Sequence, residues 1–407
     1  VPVTSIVYPE ALEWLGVARE LVAGIIVAPT VTIPVEKADP DEKPVFLIDK
    51  ALRGMMGTTY GVIIGTESAE LDFNGPVFID TLGHYLFNIF GDYSATGSTP
   101  TSATTFTAPL AVGATTGTLT SAAGYTSSSI VQIGSGATAE VVQFTNLAGS
   151  NATWANNPIR FAHSGTPAAT VVAAPFTHTF SLLNSGNGQP ITHTMTFHSG
   201  IPASTGARQY AYWCASEIEL TLDAQQLFMQ ATKGMSFIGA IAGVTPTNTL
   251  NTSAAQAVWE AKVGIAGPAS GGTLINDVVS ANYTIQRALK GYWTASGQQT
   301  PYVIARNGIE IVGKFTELAQ SEQPLLNMLN NTQPQVQIVI SNGLAGANLL
   351  SVTMNCQVAA YDTVKLQSNE EITYDVNFKG VMNTTNAGGS GGMSPGSVIL
   401  VNAVPTY

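Results

Sequence analysis

The stretch Ser216–Phe237, SEIELTLDAQQLFMQATKGMSF, decides how the rest of the chain is read. Ile218, Leu220 and Leu222 alternate with Glu217, Glu219, Thr221 and Asp223. A period of two puts these sets on opposite faces of a strand, one on a core and one on water. Asp-Ala-Gln-Gln breaks the run, and Leu227–Thr232 reads as a return strand, so a hairpin is expected. The water face of the first strand carries three carboxylates, Glu217, Glu219 and Asp223, with no cation among them.

Composition extends this reading to the whole chain. Its 407 residues suffice for two or more cores. Only 10% are charged, against about 25% in ordinary soluble domains. With 40 Gly and 21 Pro, the expectation is a mainly β protein rich in turns, its weakly charged surface covered largely by other copies. A formal net charge of −11 argues against gripping a nucleic-acid backbone, which needs clustered Lys and Arg. The N-terminal residues lack a basic region followed by an apolar one, so no secretory leader is expected, and the leading Val fits removal of an initiator Met. ELVAGIIVAP (20–29) is the longest apolar run, far below the roughly 18–20 residues that span a bilayer. Cys214 and Cys356 both fall on the core side of strand-like stretches, which reads as free core thiols and assembly in a reducing cytoplasm, with a bridge between the two as the alternative.

Taken in order, PEALEWLGVAREL within residues 9–22 reads as a short helix with a stripe of Leu12, Leu15, Ala18 and Leu21. Residues 31–49, VTIPVEKADPDEKPVFLID, read as a projecting arm with a charged tip of Glu36, Lys37, Asp39, Asp41, Glu42 and Lys43, or else as a solvated loop. In residues 67–91 a strand (Ala69, Leu71, Phe73) gives way to a helical stripe of Ile79, Leu82, Leu86, Ile89 and Phe90, capped by Gly91. His84 falls between stripe positions and is expected on the helix surface. No charged residue lies between Asp92 and Glu140, yet strand-like pieces recur at 117–122, 129–134, 139–147 and 157–165. They suggest a small β module inserted at about 101–171. The main domain resumes at 177–183, 191–200 and 210–223. Residues 244–275 read as a linker holding a helical-looking AAQAVWEAK (254–262).

The second half, 276–385, repeats the plan. GIEIVGKFTEL (308–318) is a strand, and SEQPLLNMLNN (321–331) a helix with Ser321 as N-cap and a cluster of Leu325, Leu326, Met328 and Leu329. Strands follow at 334–341, 349–362 and 371–381, then a Gly-rich tail, 386–407.

Catalytic signatures are missing from the sequence. His178, His193 and His198 lack metal-ligand spacing, and the repeated Thr-His-Thr (177–179, 192–194) reads as a polar strand face. The Gly-rich segments have no following Lys-Ser/Thr, and there is no Gly-x-Ser-x-Gly elbow. No enzyme, metal or cofactor is expected.

The order of these parts resembles the major tail tube proteins of long-tailed bacteriophages. FIDTLGHYLFNIFGD (78–92) looks like the helix flanking each tube subunit. PFTHTFSLL and YAYWCASEIELTLDAQQLFMQATKGMSF look like the wall strands, GIEIVGKFTELAQSEQPLLNMLNN like their second-half equivalent, and MSPGSVILVNAV like the closing segment. The insertion is similar to small β modules of phage structural proteins. The resemblance implies two tandem β-sandwich or split-barrel units, 1–100 with 172–243 and then 276–385, each with a flanking helix. It further implies rings that stack into a virion tail tube assembled in the host cytoplasm, through which DNA passes without specific binding. Two units per chain favour a ring of three chains with pseudo-six-fold symmetry over a hexamer, and the insertion favours a non-contractile, siphovirus-like tail. The implied partners are further copies, tape measure, tail terminator and baseplate or tip proteins, without membrane insertion. Alternation nominates Glu217, Glu219 and Asp223, with Ser351, Thr353, Asn355 and Gln357, as lumen-facing, since a polar, net negative wall repels phosphate. The charged arm, Glu36 to Lys43, would clasp stacked rings. The alternatives are a capsid decoration protein or an adhesin with a carbohydrate-binding β module.

Overall fold

The computed structural model describes residues 9–51, 53, 56–57, 59–201, 206–243, 246–249, 251, 253–265, 274–368 and 372–407. Of the expected linker, 244–245, 250, 252 and 266–273 lie outside the described residues. The protein is mainly β, and no described helix is long and apolar enough to cross a membrane.

The first half runs β1 (Glu13–Arg19), β2 (Val31–Ile33), β3 (Lys37–Glu42), β4 (Phe46–Asp49), β5 (Gly61–Ile64), β6 (Ala69–Pro76) and α1 (Leu82–Phe90). Next come β7 (Gly91–Thr105), the short β8 (Thr116–Thr118), β9 (Ile130–Ile133), β10 (Glu140–Gln143), β11 (Asn146–Ala148) and β12 (Asn151–Thr153). β13 (Ala168–Leu182), β14 (His193–Ser199), β15 (Ala207–Asp223), β16 (Met229–Ser236) and β17 (Ala240–Ile241) complete it. The second half comprises β18 (Ala261–Ile265), β19 (Leu274–Ile275), β20 (Val278–Tyr292), β21 (Val303–Leu318), α2 (Gln323–Leu329), β22 (Val336–Ser341), β23 (Ser351–Cys356), β24 (Ala359–Ser368), β25 (Ile372–Gly380) and β26 (Ser397–Asn402).

Two sheets enclose the main core. In the first, antiparallel ladders join β3-β6-β16-β15 and β20-β21-β25-β24 into two four-stranded arrays. β15 and β20 join the arrays edge to edge, Glu217 opposite Gln286 through Asp223 opposite Ser280. Each array is a hairpin, a helix, a hairpin given to the second sheet (β7/β13 or β22/β23), and a closing hairpin. The second sheet runs β13-β26-β23-β22, so the last strand of the chain bridges the two halves. Residues 386–407 are thus no loose tail: β26 is central, and Tyr407 is 3% exposed.

The alternation in β15 works as its period demands. Ile218, Leu220 and Leu222 are buried, facing Ile285, Tyr283 and Ala281 across the joint. Each such aliphatic side chain contributes about 1.5–3 kcal/mol. The predicted helix at 78–90 forms over Leu82–Phe90, ended by Gly91 at φ 86, whose N–H bonds the Phe87 carbonyl. All nine of its residues are buried, because both sheets and the C-terminus close over it. His84 is therefore in the core, edge-on to Tyr407, and not on the helix surface. The Thr-His-Thr segments are likewise no polar face: His178 and His193 are fully buried, and burial pushes His178 down to about 4.

Two other helices were expected, and neither forms: each stretch is a single 3-10 turn leading into a strand. Glu10–Leu12 is a single 3-10 turn, and Glu13–Arg19 pairs with β14 along its length and with β2 over Leu15–Val17. Residues 258–260 form another 3-10 turn before β18 pairs with β22. In both, ladder bonds to two neighbouring strands outweigh a weak helical stripe. α2 begins one residue after its N-cap position Glu322, and Leu326 and Leu329 of the expected apolar cluster are exposed.

Between β7 and β13 the chain builds a second hydrophobic cluster, around Phe106, Tyr125, Phe144 and Trp154. The expected strand at 157–165 contributes only an isolated bridge, Leu110 to His163. Where this cluster meets the main core, the buried Glu140 carboxylate accepts the N–H groups of Arg160 (2.9 Å) and Phe161 (2.9 Å) and meets His163 Nε2 at 3.2 Å. The Arg160 guanidinium lies over the Tyr93 ring, 4.2 Å from its centroid. Burial pushes Glu140 up, but His163, the Arg160 charge and the two amides outweigh it and hold the carboxyl below its usual range.

Candidate functional site: a polar sheet face between two open edges

The outward face of the first sheet is a continuous polar surface. Across the first array it carries Asp39, Asp41, Glu70, Asp72, Glu217 and Glu219 against Lys37, Lys43 and Lys233; across the second, Glu310 and Asp375 against Lys314, Lys365 and Lys379. The acid excess therefore lies on the first array.

The acidic ribbon is not without a cation. Lys233, on the return strand, donates to Glu217 Oε1 at 2.6 Å, and Gln286 Nε2 donates to Glu217 Oε2 at 3.1 Å. Glu219 stands opposite Thr284 and Ala231, with no cross-strand cation. Asp223 ends the strand, accepting from Gln225 N at 3.1 Å, which shapes the turn. In the second array Asp375 meets Lys314 (2.9 Å) and Thr316 (2.7 Å). Partial burial pushes Asp375 up, but these partners more than offset it, and the net shift is downward.

Ser351, Thr353 and Asn355 do not share this face. They lie on β23 in the second sheet, and Gln357 follows that strand. Their neighbours Val352, Met354 and Cys356 point inward, with Cys356 Sγ 3.8 Å from the Tyr283 hydroxyl of the first sheet. The β23 set thus points away from Glu217, and one wall cannot hold both sets. Alternation located the polar side of each strand but not the sheet to which the strand belonged. By ladder position, the second-half counterparts of Glu217, Glu219 and Thr221 are Thr363, Lys365 and Gln367.

The charged arm is also placed differently. Lys37–Glu42 is an edge strand laid on β6, with Lys37, Asp39 and Asp41 on the polar face, while Glu36 adjoins it and Lys43 continues it. Glu42 turns the other way and binds Arg208 (2.8 Å) and Tyr210 (3.2 Å). What projects is the β4/β5 hairpin, and it is apolar: Phe46, Leu47, Ile48, Val62, Ile63 and Ile64 are all more than half exposed. The apolar VFLID (45–49) supplies one strand of this hairpin, and the charged run before it lies flat along β6.

The two arrays leave two of their own edges open, while β14, β1 and β2 extend the sheet from the other half of β15. β3 is paired only with β6, and β24 only with β25, among the described residues. β24 holds the place in its array that β15 holds in the first, and β3 the place that β20 holds in the second. The open edges are therefore the counterparts of the two strands already joined within the chain.

The histidines are separately occupied. His84 packs on Tyr407, His163 meets Glu140, His178 lies between Tyr93 and Asn402, His193 meets Asn88, and His198 stacks on Trp14. Among the described residues no group of His, Cys, Asp or Glu has the arrangement of a metal site. Cys214 and Cys356 are free and fully buried; burial pushes Cys214 up to about 11 and Cys356 up to about 12. They are inert core thiols. Neither the models of known protein families nor the curated proteins match this chain.

Proposed function

We propose that the chain is the subunit of a closed β-walled ring, and that such rings stack into the tail tube of a long-tailed bacteriophage. One observation carries the reading: the chain joins two equivalent arrays through β15 and β20, and leaves open the two edges that would repeat that joint with another copy. A joint between unlike edges is heterologous, and it closes into a ring when the rotation between copies divides a full turn. It also removes two unpaired edges that otherwise invite aggregation.

Carrying the register of the β15·β20 ladder over to the open edges sets Thr363 opposite Lys43, Lys365 opposite Asp41 and Gln367 opposite Asp39 of the next copy. Lys365 and Asp41 are complementary charges on exposed positions. On the core side the exposed Leu366 takes the place of the buried Leu220, opposite Pro40. Lys43 N–H bonds the Ser68 carbonyl, so by alternation the even residues of β3 face the open edge. Pro40 leaves that ladder one donor short, which suits an edge strand and disfavours pairing in other registers.

The polar face would then line the channel, with its acid excess on alternate arrays repelling phosphate. Three chains supply six arrays, the pseudo-six-fold ring expected above. The carbohydrate-binding reading draws on the exposed Tyr292, Trp293 and Tyr302 at the tip of the β20/β21 hairpin, a cluster the sequence did not show. Negative-stain microscopy and native mass spectrometry of the purified chain test the proposal. Rings or tubes built on multiples of three chains are expected, and a monodisperse monomer at high concentration overturns it.

A further inference from the structure

The β4/β5 hairpin is two-stranded, apolar and uncovered, and such a hairpin is marginal in water by itself. Its counterpart in the second array shows what covers it. There β20 and β21 run on beyond the sheet, and the ladder slips by one residue between Arg287 and Leu289. The β3/β6 ladder slips by the same amount at the same place, from Glu42 opposite Ala69 to Phe46 opposite Ile64. The pair Phe46–Ile64 therefore corresponds to Leu289–Arg306, and Ile48–Val62 to Gly291–Ile304.

In the β20/β21 hairpin this face is covered: Arg306 is 4% exposed and Ile304 is 1% exposed. It lies on the end of α1 in the preceding array, where Arg306 donates to the Asn88 carbonyl (2.8 Å) and Arg287 to the Ile89 carbonyl (2.8 Å). α2 ends at Leu329 as α1 ends at Phe90, so Leu329 lies in the last turn of its helix as Asn88 does in α1. Leu329 is 67% exposed and Leu326 is 43% exposed. The end of α1, whose Asn88 main-chain carbonyl takes Arg306, is thus covered within the chain, whereas the counterpart surfaces around Ile64 on the hairpin and Leu329 on α2 are apolar and exposed.

We infer that the Phe46/Ile48/Val62/Ile64 face of the β4/β5 hairpin docks on the Leu326/Leu329 side of α2 in a second copy of this chain, within the same ring. The inference rests on the ring reading above and adds a second contact to it, one that covers two apolar patches at once.

Two double variants of the full chain test it, each treated with a short bis-maleimide after assembly. Ile64→Cys with Leu329→Cys reports the arm contact; Asp41→Cys with Lys365→Cys reports the edge ladder. Covalent oligomers from both are expected. Linking by the ladder pair alone overturns the arm inference and leaves the ring. Linking by neither pair in assembled particles overturns both, and linking by the arm pair alone supports the arm contact and rejects the ladder register. Because Ile64 and Leu329 are exposed in the single chain, Ile64→Asp and Leu329→Asp should leave its circular dichroism and Tm unchanged. Each should weaken assembly at least tenfold, and unchanged assembly overturns the inference.

Discussion

Arg306 Nη1 donates to the main-chain carbonyl of Asn88 at 2.8 Å, across the seam where the two arrays meet. The same guanidinium also donates to the carbonyls of Pro190 (2.6 Å) and Ile191 (2.9 Å), so one buried cation ends a helix and fastens a loop. Cations are favoured at a helix C-terminus, and charged hydrogen bonds are the stronger kind. Arg306→Met keeps the aliphatic length and strands these carbonyls. Chemical denaturation of the unassembled chain should show a loss of about 2–4 kcal/mol.

The Glu140 carboxyl predicts acid sensitivity where the inserted module meets the main core. Its folded pKa is depressed, so its contribution is present above the unfolded carboxylate value of 4.5 and is lost as pH falls through the lower folded value. Thermal melts followed by the fluorescence of Trp154, with the other tryptophans replaced, should lose stability steeply below pH 4.5. Glu140→Gln should be less stable at neutral pH, with a flatter acid limb.

Glu317 predicts the opposite slope in the second half. Burial, with Asp277 adding to it, pushes its carboxyl from 4.5 up to about 7, beneath α2 and beside Tyr361. A raised folded pKa stabilises fully below 4.5, and that contribution fades as pH rises through about 7. Relative to Glu317→Gln, the denaturation midpoint of the chain should therefore decline from pH 5 to pH 8. This decline is superimposed on the rise that buried His84, His178 and His193 give both chains as pH approaches 6.5.

Lys365 and Asp41 offer a charge test of assembly. Both are exposed in the single chain, where Lys365 also stands opposite Asp375, so Lys365→Glu should cost its fold no more than about 1 kcal/mol. Against Asp41 of the next copy it places like charges opposite one another, and assembly should weaken several-fold. The double variant Lys365→Glu with Asp41→Lys should recover most of it, as measured by analytical ultracentrifugation at low salt.

Gly83 tests how firmly the C-terminal residue is locked. A Cβ there would stand 2.2 Å from the Tyr407 ring, which is itself held by Asn402 and by the Ile79 carbonyl. Gly83→Ala should lower stability by about 1–3 kcal/mol, and the same change in a chain carrying Tyr407→Ala should have little effect.

The local rules written into the chain were enough for several features set by near neighbours, though they placed the N-cap of α2 at Ser321, one residue before Glu322. Period two in Glu217–Asp223 named the core face of β15, the stripe ending at Gly91 named α1, and parity placed Cys214 and Cys356 in the core. What alternation cannot carry is the identity of a strand's partners, because the ladder bonds come from residues far along the chain. Hence Glu13–Arg19 became a strand between β2 and β14, Ser351–Asn355 fell on the sheet opposite Glu217, and the charged run Lys37–Glu42 lay down as an edge. The acidic ribbon itself shows the division. Its carboxylates were legible from spacing alone, but the cation on Glu217, the seam at β20 and the two open edges came from register, which only the folded chain sets.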